Sequence, residues 1–127
     1  MKTPTILYIE DNLDNMHLVE RALQARGYNF VFALSGLEGI EKAKVAHPDV
    51  ILLDINLPDI DGYEVARRLR DARGTHRVPI IAITANALRG DEQKALDAGC
   101  DLYMPKPIRI QELWNQVEAC LSKEGDE

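Results

Sequence analysis

Val50-Ile51-Leu52-Leu53-Asp54 is the stretch on which the fold turns. Four successive apolar residues show no polar alternation, so the segment reads as a strand covered on both faces, and Asp54 ends it abruptly. Thr5 to Ile9, followed by Glu10 and Asp11, has the same shape, and so does Ile80 to Ile83, followed by Thr84. Asn29 to Ala33 and Asp101 to Met104 bring the strand candidates to five. Four of the five are nearly continuous apolar runs, as parallel strands are.

Segments of helical period fill the gaps. The first carries Met16, Val19 and Leu23, widened by Leu18 and Ala22, and stops at Gly27. The second follows Ser35, whose hydroxyl can cap while Glu38 reaches back. Ile40, Ala43 and the aliphatic stem of Lys44 are its inward positions, and it ends before Pro48. Asp61 to Glu64 repeats the capping pattern ahead of Val65, Ala66 and Leu69. A fourth helix is expected from Leu88 to Ala98, closed by Gly99, and a fifth on the stripe Ile110, Leu113, Trp114, Val117 and Leu121. Strands joined by helices make a parallel sheet with right-handed crossovers and helices on both faces, a doubly wound α/β fold. Length alone does not separate the two common strand orders, although five strands suit the flavodoxin-like order 2-1-3-4-5 better than the six-stranded dinucleotide order. One domain over residues 1–127 is expected, with a core at 5–121 and a polar tail at 122–127.

Composition narrows the functions. The chain has 127 residues, enough for one core, and 46% hydrophobic with 28% charged residues suits a soluble globular domain. Fifteen basic against twenty-one acidic residues give a net charge of −6, which argues against nucleic acid as a partner. Cys100 and Cys120 form neither a disulfide framework nor a zinc spacing. At the N-terminus the apolar run Ile6 to Ile9 is interrupted by Glu10 and Asp11, so it reads as neither a secretion signal nor a membrane span. These features lead to the expectation of a cytoplasmic protein.

In a doubly wound sheet, ligands sit beyond the carboxyl ends of the strands, where strand order reverses. Glu10 and Asp11 follow strand one, Asp54 ends strand three, Thr84 follows strand four, and strand five leads through Met104 and Pro105 to Lys106. Taken singly, acids at strand ends are often helix caps. Converging on one edge, three carboxylates repel and must share protons or a cation. All-oxygen ligands without nearby His or Cys suit Mg²⁺, and an acidic trio with Lys106 and Thr84 describes a phosphoryl-transfer site. Other polar residues have plainer readings. Asp59 and Asp61 fit turn and cap chemistry, and His17, His47 and His76 lack metal-ligand spacing and read as surface residues. Cys100 and Cys120 read as small core residues, Trp114 as packing, and Arg67, Arg68, Arg70, Asp71 and Arg73 as a solvated helix face.

The chain resembles a response-regulator receiver domain of bacterial two-component signalling, of the single-domain type. The resemblance runs from Ile6 to Leu121. It rests on Glu10-Asp11, on Asp54 ending its apolar run, on Leu57-Pro58-Asp59-Ile60-Asp61-Gly62, on Thr84-Ala85, and on Tyr103-Met104-Pro105-Lys106-Pro107. It implies that Asp54 accepts a phosphoryl group from a phosphohistidine of a partner kinase or phosphotransfer protein. It further implies that Asp11, Asp54 and the Asn56 carbonyl hold Mg²⁺, with Glu10 acting through a bound water. Thr84 and Tyr103 would be the moving switch pair, Lys106 the counter-charge to the phosphoryl group, and the Lys106-Pro107 peptide cis. Two features depart from or refine the common pattern: Glu10 stands where Asp is more usual, and Asn56 and Asn86 occupy positions that, by the resemblance, would influence phosphoryl lifetime. Output is expected through protein binding at the face of the fourth helix, fifth strand and fifth helix, without turnover catalysis. A Mg²⁺-dependent phosphohydrolase with an aspartyl nucleophile is the main alternative, but it would carry an acid where Asn56 stands. A flavin- or nucleotide-binding module would need glycines or hydroxyls in place of Glu10-Asp11-Asn12-Leu13-Asp14. A receiver that binds its partner without being phosphorylated is a further alternative.

Overall fold

The computed structural model describes residues 2–85 and 90–125. Strands β1 (Thr5–Ile9), β2 (Asn29–Ala33), β3 (Val50–Asp54), β4 (Ile80–Thr84) and β5 (Leu102–Pro105) alternate with helices α1 (Leu13–Gln24), α2 (Gly36–Ala46), α3 (Gly62–Asp71), α4 (Asp91–Asp97) and α5 (Ile110–Gly125). All neighbouring strands pair in parallel, in the order β2-β1-β3-β4-β5. The order reverses beside β1, where the chain leaves towards β2 on one side and returns as β3 on the other. A ligand crevice belongs at that point.

Strand alternation divides the core into two layers. Leu7, Ile9, Leu53 and Ala82 pack with α2, α3 and α4 on one face, while Ile6, Tyr8, Leu52, Ile83 and Met104 pack with α1 and α5 on the other. Every residue of β3 and β4 is buried, as their unbroken apolar runs require. Edge strand β2 is wetter, and Phe32 is exposed there with the Lys42 ammonium over its ring and on its carbonyl.

The helix ends follow the capping residues. Ser35 caps α2 through Glu38 N, and the Glu38 carboxylate reaches back one residue further than a capping box needs, to Leu34 N at 2.7 Å. Asp61 caps α3 through Tyr63 N and Glu64 N. The α2 N-terminus has a second cap from outside the helix: Asp59 accepts from Gly36 N and Leu37 N, each at 2.8 Å. The cap and turn reading of Asp59 and Asp61 holds, with Asp59 serving a helix twenty-two residues away in sequence.

Several expectations need correcting. Leu18 is exposed on α1 because Met16, Val19, Ala22 and Leu23 already fill the inward stripe. Lys44 is exposed as well, its ammonium 3.6 Å from Glu41. Strand β5 begins at Leu102, since the Asp101 carboxylate is engaged in accepting from Ile80 N and Arg70. Arg70 is no member of a solvated face. Its guanidinium donates to the carbonyls of Gly99, His76 and Val78 and to Asp101, clasping α3 to the start of β4 and β5. Helix α5 continues through Gly125, past the expected start of the polar tail, because no breaker precedes that glycine. The expected start of α4 at Leu88 and the residue Asn86 lie outside the described residues.

The remaining bland readings hold. His17, His47 and His76 are exposed, and Cys100 and Cys120 are buried free thiols. Trp114 packs α5 on α1, its indole N–H donating to Ala22 O at 2.8 Å beneath the Arg26 guanidinium. Among the described residues no helix is long and apolar enough to cross a membrane.

Candidate functional site

The parallel register sets Ile9 beside Ala33 and Leu53, so the residues that follow β1 and β3 emerge side by side. Glu10 and Asp54 are two residues beyond Tyr8 and Leu52 and share their face of the sheet. Lys106, two beyond Met104, shares it too, and its backbone is fixed by Lys106 N donating to Thr84 O at 2.8 Å. The Lys106-Pro107 peptide that follows is cis, as expected. The loop after β3 folds back onto the strand end where Gly62 N donates to Ile55 O. A Cβ on Gly62 would lie 2.5 Å from Ile55 Cα and 2.7 Å from Asp54 O, so only glycine permits that approach.

These strand ends surround a cleft lined by Glu10, Asp11, Asn12, Leu13, Asp14, Asn15, Asp54, Asn56, Ala85 and Lys106. One carboxylate oxygen from each of Glu10, Asp11 and Asp54 lies within 4.8 Å of the others, an all-oxygen donor set fit for a hard divalent cation. Glu10 is completely buried and Asp54 nearly so, whereas Asp11 is exposed at the mouth. The Lys106 ammonium lies 2.9 Å from Glu10 Oε1 and 3.3 Å from Asp54 Oδ2. Asn56 N donates to the other Asp54 oxygen at 3.2 Å.

The environment pulls the two buried acids apart. Burial, reinforced by the facing Glu10, pushes the Asp54 carboxyl up to about 7. Burial also works against ionised Glu10, but hydrogen bonding to Asp54 and Lys106 outweighs it and holds Glu10 at about 2. Lys106 is likewise disfavoured by burial and raised on balance by its carboxylate partners. In the metal-free site a proton is therefore favoured on Asp54 over Glu10, whose carboxylate pairs with Lys106.

The structure thus brings Glu10, Asp11, Asp54, Asn56 and Lys106 together. Thr84 and Tyr103 lie beside them, on β4 and β5. Thr84 is buried at the same sheet edge, on the face of Ala82 and next to Ala85, which lines the cleft. Tyr103 pairs with Ala82 across the β4–β5 register, so it lies diagonal to Thr84 on that face, half-buried against the core.

Two residues of the site escape a reading by motif. The Tyr8 hydroxyl donates to Glu10 Oε1 at 3.0 Å, and the Asn15 side-chain amide donates to the same oxygen at 3.1 Å. Tyr8 was legible in principle, because a tyrosine two residues before an acid on one strand must share its face. Asn15 comes to the site one turn into α1, where its backbone N–H also donates to the Asn12 cap at 2.9 Å.

Comparison with known proteins agrees with this geometry. The family model for the response regulator receiver domain matches residues 6–118. The polar-differentiation response regulator DivK of Brucella ovis is 38% identical over 119 residues, covering 94% of this chain and 97% of DivK. The receiver domain of the sensor histidine kinase PA1611 from Pseudomonas aeruginosa, solved with magnesium coordinated in its active-site cleft, superposes with a TM-score of 0.88 at 36% identity, over 95% of this chain and 99% of that one. The receiver domain of the Saccharomyces cerevisiae response regulator Ssk1, solved with the histidine phosphotransfer protein Ypd1, superposes with a TM-score of 0.83 at 29% identity, over 90% of this chain and 86% of that one. By sequence, topology and the acids at its strand ends, the chain belongs to the response regulator receiver domain family.

Proposed function

We propose that Asp54 is the phosphoacceptor of this receiver and takes its phosphoryl group from a phosphohistidine on a histidine kinase or phosphotransfer protein. The observation that carries this reading is the buried Asp54 carboxyl facing Glu10 with the Lys106 ammonium 3.3 Å away. An Asp54 oxygen attacks phosphorus, the P–N bond breaks, and its electron pair returns to the imidazole, which takes up a proton. Lys106 supplies the charge that the three phosphoryl oxygens require. Asp11, Asp54 and the Asn56 carbonyl would hold Mg²⁺, with Glu10 reached through a water. When bound, the ion neutralises the carboxylates and polarises phosphoryl oxygens. The magnesium in the PA1611 receiver cleft supports this choice of ion.

A phosphotransfer protein as donor is supported by the Ypd1–Ssk1 receiver complex. The phosphohydrolase alternative lacks its acid, since Asn56 stands two residues after Asp54 and cannot exchange a proton at useful pH. Turnover of small phosphate esters is therefore outside this reading. The signal leaves by a shape change: Thr84 is drawn to the aspartyl phosphate, and Tyr103, diagonal to it, repacks beside α4 and α5. That face is the proposed docking surface for the downstream protein. Two reduced cysteines fit a cytoplasmic setting.

Incubation with Mg²⁺ and acetyl phosphate tests the assignment, with intact mass as the readout. One acid-labile phosphate is expected on the native chain and none on Asp54→Asn. Equal labelling of that variant would remove Asp54 from its role.

A further inference from the structure

Glu10 is the most heavily used acceptor of the site. Its Oε1 takes the Lys106 ammonium at 2.9 Å, the Tyr8 hydroxyl at 3.0 Å and the Asn15 amide at 3.1 Å. Its Oε2 takes the backbone N–H groups of Asp11 and Asn12 at 3.1 and 3.3 Å. A carboxylate oxygen has two lone pairs, so three donors on Oε1 compete for it. The same ammonium stands 3.3 Å from Asp54 Oδ2. A hydroxyl at residue 8 is also unnecessary for packing: its neighbours in β1 are apolar, the ring is fully buried, and phenylalanine would fill the space. Burying that hydroxyl is costly unless it is bonded, and Glu10 is the partner it has.

We propose that Tyr8 and Asn15 are positioning residues for phosphoryl transfer: by occupying Glu10 Oε1 they loosen its hold on Lys106, leaving the ammonium shared with Asp54. Without them Glu10 would capture Lys106, and the cation would reach the transferring phosphoryl group less readily. The inference rests on Asp54 being the phosphoacceptor.

Tyr8→Phe removes the hydroxyl and keeps the ring, and Asn15→Ala removes the amide from a half-buried helix position. With acetyl phosphate at saturating Mg²⁺, each variant should take up phosphoryl about three- to tenfold more slowly, the scale of one ordinary net hydrogen bond. The Mg²⁺ concentration giving half the rate should change by less than about twofold, because Lys106 rather than the ion is disturbed. In the metal-free proteins the Lys106 side-chain NMR resonance should move in both variants, while that of exposed Lys94 stays. A Glu10→Asp background withdraws the carboxylate from both donors, so there the two substitutions should have no further effect. Uptake equal to wild type in both variants, an unmoved Lys106 resonance, or equal slowing in the Glu10 and Glu10→Asp backgrounds would overturn the proposal. If Tyr8→Phe fails to fold, Asn15→Ala decides by the same measurements. A wild-type chain that takes no label on Asp54 would instead overturn the phosphoacceptor reading itself.

Discussion

Lys106 reaches Asp54 across 52 residues of sequence, its ammonium 3.3 Å from Oδ2 at a sheet edge where β5 ends beside β4 and β4 beside β3. The same cation that attracts a phosphoryl group repels a divalent ion bound by the same acids. Lys106→Ala should therefore separate two properties that loss of fold would lower together. Mg²⁺ affinity, measured by calorimetric titration, should rise several-fold, while phosphoryl uptake at saturating Mg²⁺ should fall at least about tenfold. A parallel fall in both would contradict the geometry.

The Asp54 carboxyl makes metal-free stability depend on pH. Burial and Glu10 hold its proton on up to about pH 7, whereas in an unfolded chain an aspartate releases it near pH 4. Between those values the native state binds more protons than the unfolded state, so stability falls as pH rises through the window. Mg²⁺ needs the ionised acid and should reverse the trend. Thermal unfolding should give a Tm several degrees lower at pH 8 than at pH 5.5 without metal. Added Mg²⁺ should raise Tm more at pH 8 than at pH 5.5, and equal increments at the two values would contradict the assignment.

Both patterns that made the fold legible are local. Val50 to Leu53 and Ile80 to Ile83 are buried throughout because unbroken apolar runs suit strands covered on both faces. Their bounds extend one residue further, to Asp54 and Thr84, since the ladder continues into the polar residues that end each run. The site's membership was legible because every strand end points to one edge. Which face of the sheet each side chain takes at that edge depends on register, and this separates Thr84 from Lys106 although both follow apolar strands. Contacts between distant segments left no local trace. Asp59 looks like a turn residue until the loop is seen to lie over the start of α2, and Arg70 looks like one of a run of surface arginines.

Asp59→Ala should test that long-range cap. Its two carboxylate oxygens satisfy the orphan N–H groups of Gly36 and Leu37, and the hydrogen bonds from Leu37 and Gly36 overcome its burial to hold its pKa below the ordinary value. Removing a helix cap of this kind costs about 1 kcal/mol, or about 3–5 °C in Tm for a domain of this size. Phosphoryl uptake per folded molecule should stay within about twofold of wild type, because the carboxylate faces α2 and not the cleft.

Arg70 offers the complementary test at the opposite end of the sheet. Its guanidinium spans Gly99 O at 2.8 Å, Val78 O at 2.6 Å and Asp101 Oδ2 at 2.6 Å, a set of acceptors arranged for a planar fork. Gly99 itself is shaped by this contact, since a Cβ there would lie 2.6 Å from Arg70 Cγ. An ammonium is one compact charge and cannot meet three acceptors on two strand-leading segments together. Arg70→Lys should therefore lose most of what Arg70→Ala loses, about 2–3 kcal/mol, read as a lower urea midpoint at unchanged slope. Because Arg70 acts where β4 and β5 begin, while Lys106 follows the end of β5, the folded variant should still take one phosphate on Asp54. Full retention of stability in Arg70→Lys would mean that charge alone, and not the fork, holds α3 to the strands.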